Sequence, residues 1–262
     1  MDTQVQGMSV IVTGGSSGIG LETARLFLRE GARVAICGRD AQRLAAAEAD
    51  LGAPPDRLIA CQCDVLATDQ VAAFAGRVRD SFGGVDVLVN NAGQGRVATF
   101  AETDDDAWRE EYELKLFSVI LPTRALLPML EQSDRAAIVC VNALLARQPE
   151  PHMVATSSAR AGALSMAHSM ARELAPKGIR VNSVLLGLIE SGQWRRRHAE
   201  QAAPGETFED WCRALAVSKG IPAGRLGTPE EAARAIFFLA SPLASYITGA
   251  ALDVSGGVSR HV

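Results

Sequence analysis

The sequence predicts an α/β fold: a doubly wound, parallel, seven-stranded sheet in one domain, with helices on both faces. Three observations lead there. Apolar runs of strand length alternate with amphipathic helical patterns along the whole chain, and such alternation implies right-handed crossovers between parallel strands. A glycine-rich turn directly follows the first apolar run. The chain has 262 residues, 48% hydrophobic and 21% charged, a balance that suits one large core rather than a disordered or fibrous chain.

The elements follow in order. The first strand is read near 8–12 and its helix at 18–30, stopped by Gly31. The second strand, 32–37, leads to a helix at 40–51, and the third, 57–63, to one at 68–82. After the fourth strand, 85–89, the pattern predicts one long helix over 105–131. The fifth strand, 136–142, precedes a helix at 153–175, and Gly178 stops it before the sixth strand at 179–185. A last helix at 229–240 and strand at 250–254 close the fold. One connection breaks the rhythm: 186–228, rich in Arg, Gln and Gly and carrying Trp194 and Trp211. A connection of that length predicts a substrate loop or lid. The domain so read spans 1–262, with no internal repeat or low-complexity tract.

Composition narrows the partners. A formal net charge of −4 offers no bulk attraction for nucleic acid, and the basic cluster "WRRRH" at 194–198 is too local to supply one. The opening "MDTQVQGMSVIVTGG" has an acid near its start and only a five-residue apolar run, which fits neither a secretory signal nor a membrane span. A cytoplasmic protein with a small-molecule substrate, no nucleic acid and no membrane is expected. Five cysteines, an odd number lying mostly in apolar runs, read as reduced core thiols. Cys61 and Cys63 have no histidine nearby in sequence, so no metal is expected.

In a doubly wound sheet, ligands bind beyond the carboxyl ends of the strands. The turn "TGGSSGIG" brings Gly14, Ser16, Ser17, Gly18, Ile19 and Gly20 to the opening of the first helix. There glycines admit a pyrophosphate close to the backbone, and the helix N-terminus stabilises its charge. Gly38 and Arg39 end the second strand where an NAD-binding protein would place an acid for the ribose hydroxyls. A guanidinium there can fork onto a 2′-phosphate, which favours NADP(H) over NAD(H), with Arg43 as helper; alternatively, Arg39 only solvates a helix start. Asp64 and Val65 close the third strand, the carboxylate placed to accept from an adenine amino group. Asn91, Ala92 and Gly93 close the fourth and let the cofactor pass.

With these motifs, and with "ELAPKGIRVNSV" (173–184), "GRLGTPEEAA" (224–233) and "SYITGAALDVSGG" (245–257), the sequence resembles the short-chain dehydrogenase/reductase family over nearly its whole length. The resemblance implies a single-domain Rossmann fold, NADP(H) or NAD(H) as cofactor, and a homotetramer or homodimer. The small-residue run 159–171 would let crossover helices of two copies approach closely.

The resemblance also implies four catalytic positions: Asn, Ser, Tyr and Lys. Counting back without gaps from "RELAPKG" puts Arg160 at the lysine and Thr156 at the tyrosine. Ala143 falls at the serine and Lys115 at the asparagine, so all four are changed. The chain has two tyrosines, Tyr112 and Tyr246, and neither can slide into place. A threonine hydroxyl does not ionise near neutral pH, and arginine does not surrender its proton. Arg160 can still hold a nicotinamide ribose or a substrate anion. Lys115 has two readings. Facing the cleft, it would have its pKa lowered by apolar surroundings and by Arg160, and would be the replacement proton donor; on the polar stripe of an amphipathic helix it would be ordinary. His152 is read either as a proton relay or substrate contact, or as ordinary surface. Asn142 should point away from Ala143 on the strand pleat.

Beyond the sixth strand, Leu186 replaces the family's proline, Gly187 is kept, and Ile189 and Ser191 stand where the nicotinamide amide is met. The "WRRRH" cluster, with Lys115, Arg160 and Arg147, predicts an electropositive entrance for an anionic or acyl-linked substrate; the same cluster also reads as a solvated charge run. The function read is an atypical NADP(H)-dependent oxidoreductase acting on a carbonyl or hydroxyl with a non-standard proton donor; the alternatives are a catalytically silent NADP(H)-binding protein and a non-redox enzyme of lyase or hydratase type.

Overall fold

The computed structural model describes residues 3–260; the outermost residues of the domain read at 1–262 lie outside the described ones. Seven strands, β1 (Ser9–Thr13), β2 (Arg33–Gly38), β3 (Leu58–Gln62), β4 (Val87–Asn90), β5 (Ala137–Ala143), β6 (Arg180–Leu186) and β7 (Ala251–Val254), form one sheet in the order 3-2-1-4-5-6-7. Every pairing is parallel. The order reverses between β1 and β4, which makes a crevice at their carboxyl ends.

Among the described residues there are nine α-helices: α1 (Gly18–Arg29), α2 (Ala41–Leu51), α3 (Thr68–Phe82), α4 (Asp105–Tyr112), α5 (Ser118–Leu130), α6 (Val154–Leu174), α7 (Gly192–Gln201), α8 (Phe208–Ser218) and α9 (Pro229–Ala240). One core packs α1, α2 and α9 on one face through Val10, Val12, Phe27, Ile36 and Ile236. The other packs α3, α5 and α6 through Ile11, Leu88, Ile138, Leu126 and Ala167. Alternate residues of β1 thus serve opposite cores, as the pleat requires. Helix ends follow local chemistry: Asp40 and Asp104 cap α2 and α4, and Thr228 and Glu231 form a reciprocal capping box on α9.

Two predicted elements are corrected. The single helix expected over 105–131 is interrupted by a π-helical turn, Glu113–Phe117, between α4 and α5. Pro122 lies one turn into α5, where it cannot donate the usual i→i−4 hydrogen bond to the Ser118 carbonyl, and Lys115 on the π turn is buried. The connection 186–228 is not a bare loop. It holds α7 and α8 around a small core of Cys212, Ala216, Ile221 and Leu226, under Trp194, Phe208 and Trp211. Arg195 stacks on Phe208 at 4.3 Å and Arg197 on Trp194 at 4.8 Å. Among the described residues no helix is long and apolar enough to cross a membrane, and no cluster of three or more His, Cys, Asp or Glu could hold a metal.

Candidate active site

A cleft of about 490 Å³ opens at the carboxyl end of the sheet. Ile19, Asn91, Ala92 and Gly93 line it from the β1 and β4 side, with Lys115, Asn142, Ala143 and Arg160 in its wall. Gly187, Ile189, Ser191, Trp194 and Arg197 close it from the segment after β6. Sequence-distant positions therefore meet in one cavity.

The glycine turn is built for close approach. Gly14 has φ +65°, and a Cβ there would sit 2.9 Å from Ala92 Cα. A Cβ on Gly20 would fall 2.3 Å from the Gly14 carbonyl oxygen. Asn91 pins the turn: its Nδ2 donates to the Thr13 and Gly14 carbonyls at 3.0 and 3.1 Å. Thr13 Oγ1 in turn accepts from the Asn91 and Ala92 amides at 3.0 and 3.1 Å; sequence reading did not single out Thr13. At the mouth of α1, Ser17 makes no side-chain cap and no acid occupies the first turn, so the amides there keep their capacity for an anion.

At the ends of the neighbouring strands, Ser16 packs beside Gly38 and Arg39 is exposed. Arg43, expected to help Arg39, is instead paired with Asp40 at 2.9 Å, because the helix cap holds that carboxylate beside it. Asp64 Oδ1 accepts from the Leu66 amide, and Val65 is buried behind it. On the far side, a Cβ on Gly187 would meet Ser255 Cα at 2.9 Å, and a bridge from Ile189 to Gly227 fixes the start of the 186–228 segment. A nicotinamide dinucleotide fits these residues. The cradle excludes side chains where a pyrophosphate must approach, and Arg160 Nε is a buried donor with no partner among the described residues.

The four positions expected from the family resemblance separate into two kinds. Ala143, Lys115 and Arg160 line the cleft, whereas Thr156 is fully buried behind it. Lys115 is not on a solvated stripe: it is 6% exposed, its Nζ hydrogen-bonds the Gln94 carbonyl, and it lies 3.1 Å from Glu111 Oε2. Burial and then the Arg160 cation lower its pKa to about 8, against the opposing pull of Glu111. Burial likewise lowers Arg160 to about 10, with Glu111 opposing. An ammonium has three donors; two are engaged here, leaving the third for the cleft.

Asn142 lines the same cleft as Ala143, and its Oδ1 accepts from Arg160 Nη1 at 3.2 Å while its Nδ2 donates to the Arg160 carbonyl at 3.0 Å. It orients Arg160, a role that strand alternation alone did not suggest. Glu111 also escaped sequence reading; the signal was its i,i+4 spacing from Lys115. The entrance is corrected too. Arg147 lies in a separate hollow against α6 and β6, and of the three arginines 195–197 only Arg197 reaches the cleft, joined by Lys219 and Arg260. His152 lines the mouth 3.9 Å from Glu150.

This combination of a doubly wound sheet, a pinned glycine cradle and a cleft at the switch point defines a dinucleotide-binding α/β protein. Residues 14–259 match the family model for enoyl-(acyl carrier protein) reductase. The 3-oxoacyl-(acyl-carrier-protein) reductase FabG of Vibrio cholerae is 33% identical, over 97% of this chain and 98% of its own length. An apo structure of a short-chain oxidoreductase from Pseudomonas aeruginosa PAO1 that contains an atypical catalytic center is 60% identical, with a TM-score of 0.95, covering 97% of this chain and 98% of that one. An NADPH-bound short-chain oxidoreductase structure from the same organism, also with an atypical catalytic center, is 58% identical with a TM-score of 0.92, over 98% and 100%. L-sorbose reductase from Gluconobacter frateurii, complexed with NADPH and L-sorbose, is 31% identical with a TM-score of 0.92, over 100% of both chains. The chain belongs to the short-chain dehydrogenase/reductase family.

Proposed function

We propose that this protein is an NADP(H)-dependent oxidoreductase that interconverts a carbonyl and a hydroxyl on a small molecule, with Lys115 as the proton donor in place of the family's tyrosine. The observation that carries the reading is Lys115 itself, a lysine buried in the cleft wall with one donor left for a ligand and its pKa lowered to about 8. Groups that exchange protons in catalysis work best with a pKa near the operating pH. NADPH-bound structures of similar proteins support the cofactor. The exposed Arg39, with Arg43 tied to Asp40, makes Arg39 the group for a 2′-phosphate.

The roles divide as follows. The turn of Gly14 to Gly20 and the amides at the start of α1 receive the pyrophosphate, Asn91 keeps that turn shaped, and Arg160, steered by Asn142, holds the nicotinamide ribose through its free donors. The bound dinucleotide supplies the hydride. Lys115 Nζ donates to the substrate oxygen as charge builds on it, and takes the proton back in the reverse direction. Ala143 offers no hydroxyl, so substrate orientation falls to Lys115 and to the apolar walls Leu144, Met153 and Leu188. Arg197, Lys219 and Arg260 at the mouth favour an anionic substrate. The segment 186–228 acts as its lid. Copies of the chain pair through the small-residue face of α6 and the exposed Phe100, Tyr112 and Phe117.

The test is titration with NADPH and NADH by fluorescence, followed by turnover of a carbonyl panel with wild type and Lys115→Met. Binding of NADPH in preference to NADH is expected, with kcat falling about 10² to 10⁴-fold in the variant while NADPH affinity holds. No NADPH binding at high micromolar concentration, or turnover indifferent to Lys115→Met, defeats the reading.

A further inference from the structure

Glu111 belongs to no motif and to none of the four family positions, yet it is 3% exposed. A buried carboxylate needs partners that replace its water. Its Oε2 receives two hydrogen bonds, from Lys115 Nζ at 3.1 Å and from Thr156 Oγ1 at 2.5 Å. The Thr156 hydroxyl has one proton and two acceptors in reach, the Glu111 carboxylate and the Arg96 carbonyl at 3.1 Å. The charged acceptor at the shorter distance takes it, while the Arg96 amide donates to Oγ1 at 3.1 Å. The result is a continuous line from the Arg96 N–H through Thr156 to Glu111, with Lys115 donating to the same carboxylate. It ties together the loop after β4, the α4–π turn and the first turn of α6.

We propose that Glu111 is the positioning residue of this site: its carboxylate, held by Thr156, keeps Lys115 charged and aimed into the cleft. The inference rests on Lys115 being the proton donor and explains what Thr156 does at the tyrosine position. The hydroxyl there carries no proton to the substrate; it fixes the anion that keeps the lysine loaded. In the family pattern a lysine makes a neighbouring phenol acidic. In this chain a carboxylate makes a neighbouring ammonium durable.

The charges facing Lys115 show why one anion matters. Arg160 from α6 and Arg96 from the loop after β4 both act to strip its proton, as does burial. Arg96 is itself paired with Glu110 at the surface. Cys140 on β5, also in the cleft wall, is a thiol pushed up to about 12 by burial and stays neutral. Glu150 and His152 sit together at the mouth. Glu111 is the anion that touches the ammonium, so its removal leaves the neutral Gln94 carbonyl alone to hold the proton against burial, Arg160 and Arg96.

The chain has three lysines, Lys115, Lys177 and Lys219, so lysine labelled with carbon-13 at Cε gives three NMR signals whose titration can be followed one by one. Lys177→Arg and Lys219→Arg assign them. The wild-type Lys115 signal is expected to titrate near pH 8, and in Glu111→Gln its midpoint should fall by about one to three pH units, the range for loss of an adjacent opposite charge. The Lys177 signal, paired with Glu131 at 2.6 Å, should not move and so reports an intact fold. If Glu111→Gln does not fold, Glu111→Asp decides: it keeps the charge but withdraws it by one methylene, and the midpoint should fall by a smaller, measurable step. A Lys115 midpoint unchanged in the folded variant overturns the proposal. The pH profile of carbonyl reduction is read beside it, and its falling limb should move with the NMR midpoint. A midpoint that falls while that limb stays in place upholds the hold of Glu111 on Lys115 and defeats Lys115 as the donor.

Discussion

On the proposed reading Arg160 and Lys115 divide two tasks by one chemical difference: a guanidinium keeps its proton near neutral pH, whereas a desolvated ammonium can give one up. Even at about 10, Arg160 stays charged across the working range, which suits it to holding an oxygen or an anion. Lys115, lowered to about 8, is charged below that pH and neutral above it. Carbonyl reduction, which needs the charged form, should therefore hold at acidic to neutral pH and decline as pH rises through about 8. Alcohol oxidation should show the opposite slope, and initial rates measured in both directions check the sign. At the other end of the cleft, Arg39→Asp removes the guanidinium offered to a 2′-phosphate and restores an acceptor for ribose hydroxyls. The ratio of NADPH to NADH dissociation constants should rise at least about tenfold, roughly the worth of one charge-assisted contact; an unchanged ratio excludes Arg39 from cofactor choice. The sequence made all three residues candidates through their position after a strand or within a counted helix. It did not show Glu111, because burial of a charge depends on which segments close over it.

The segment between β6 and α9 shows how an element can hide. Its α7 is polar, with three consecutive arginines and no buried residue, so no apolar period marks it. Only in three dimensions do Trp194, Phe208 and Trp211 cover Cys212, Ala216, Ile221 and Leu226. Leu226 is 2% exposed, and Leu226→Ala should cost about 2 to 5 kcal/mol as a buried large-to-small change. Thermal unfolding reads the loss. If the segment works as a lid, KM for the carbonyl substrate should rise while NADPH affinity stays within a few-fold. The break in the predicted helix 105–131 has a similar origin. Pro122 was visible, but a proline in a helix is compatible with a kink, a stop or a neighbouring π turn; the turn found here packs against α6 with Lys115 buried.

For the whole molecule, the two cores leave a rigid sheet whose carboxyl end is completed by segments far apart in sequence. A ligand bound across them stabilises the folded chain by mass action: at a hundred times its dissociation constant, NADPH should contribute about 2.7 kcal/mol. For a chain of this size that raises Tm by roughly 5 to 10 °C. Gly20→Val should abolish the shift, since even a Cβ there collides with the Gly14 carbonyl oxygen; a full shift in that variant places the cofactor elsewhere. Differential scanning fluorimetry with and without NADPH makes the comparison.

The alternation of apolar strands and amphipathic helices, the glycine turn and the strand-end residues were enough to determine the sheet, its parallel pairing and the side on which the cleft opens. These properties follow from short-range periodicity and from backbone sterics, both written locally in the chain. The proton chemistry was not. Sequence counting named Lys115 and Arg160 but left the lysine equally suited to a solvated face. Tertiary structure decided between those two environments by burying Lys115 beside Glu111, Thr156 and Arg160. A side chain's charge state depends on the desolvation and the fields of neighbours from other segments, and those neighbours exist only once the chain has folded.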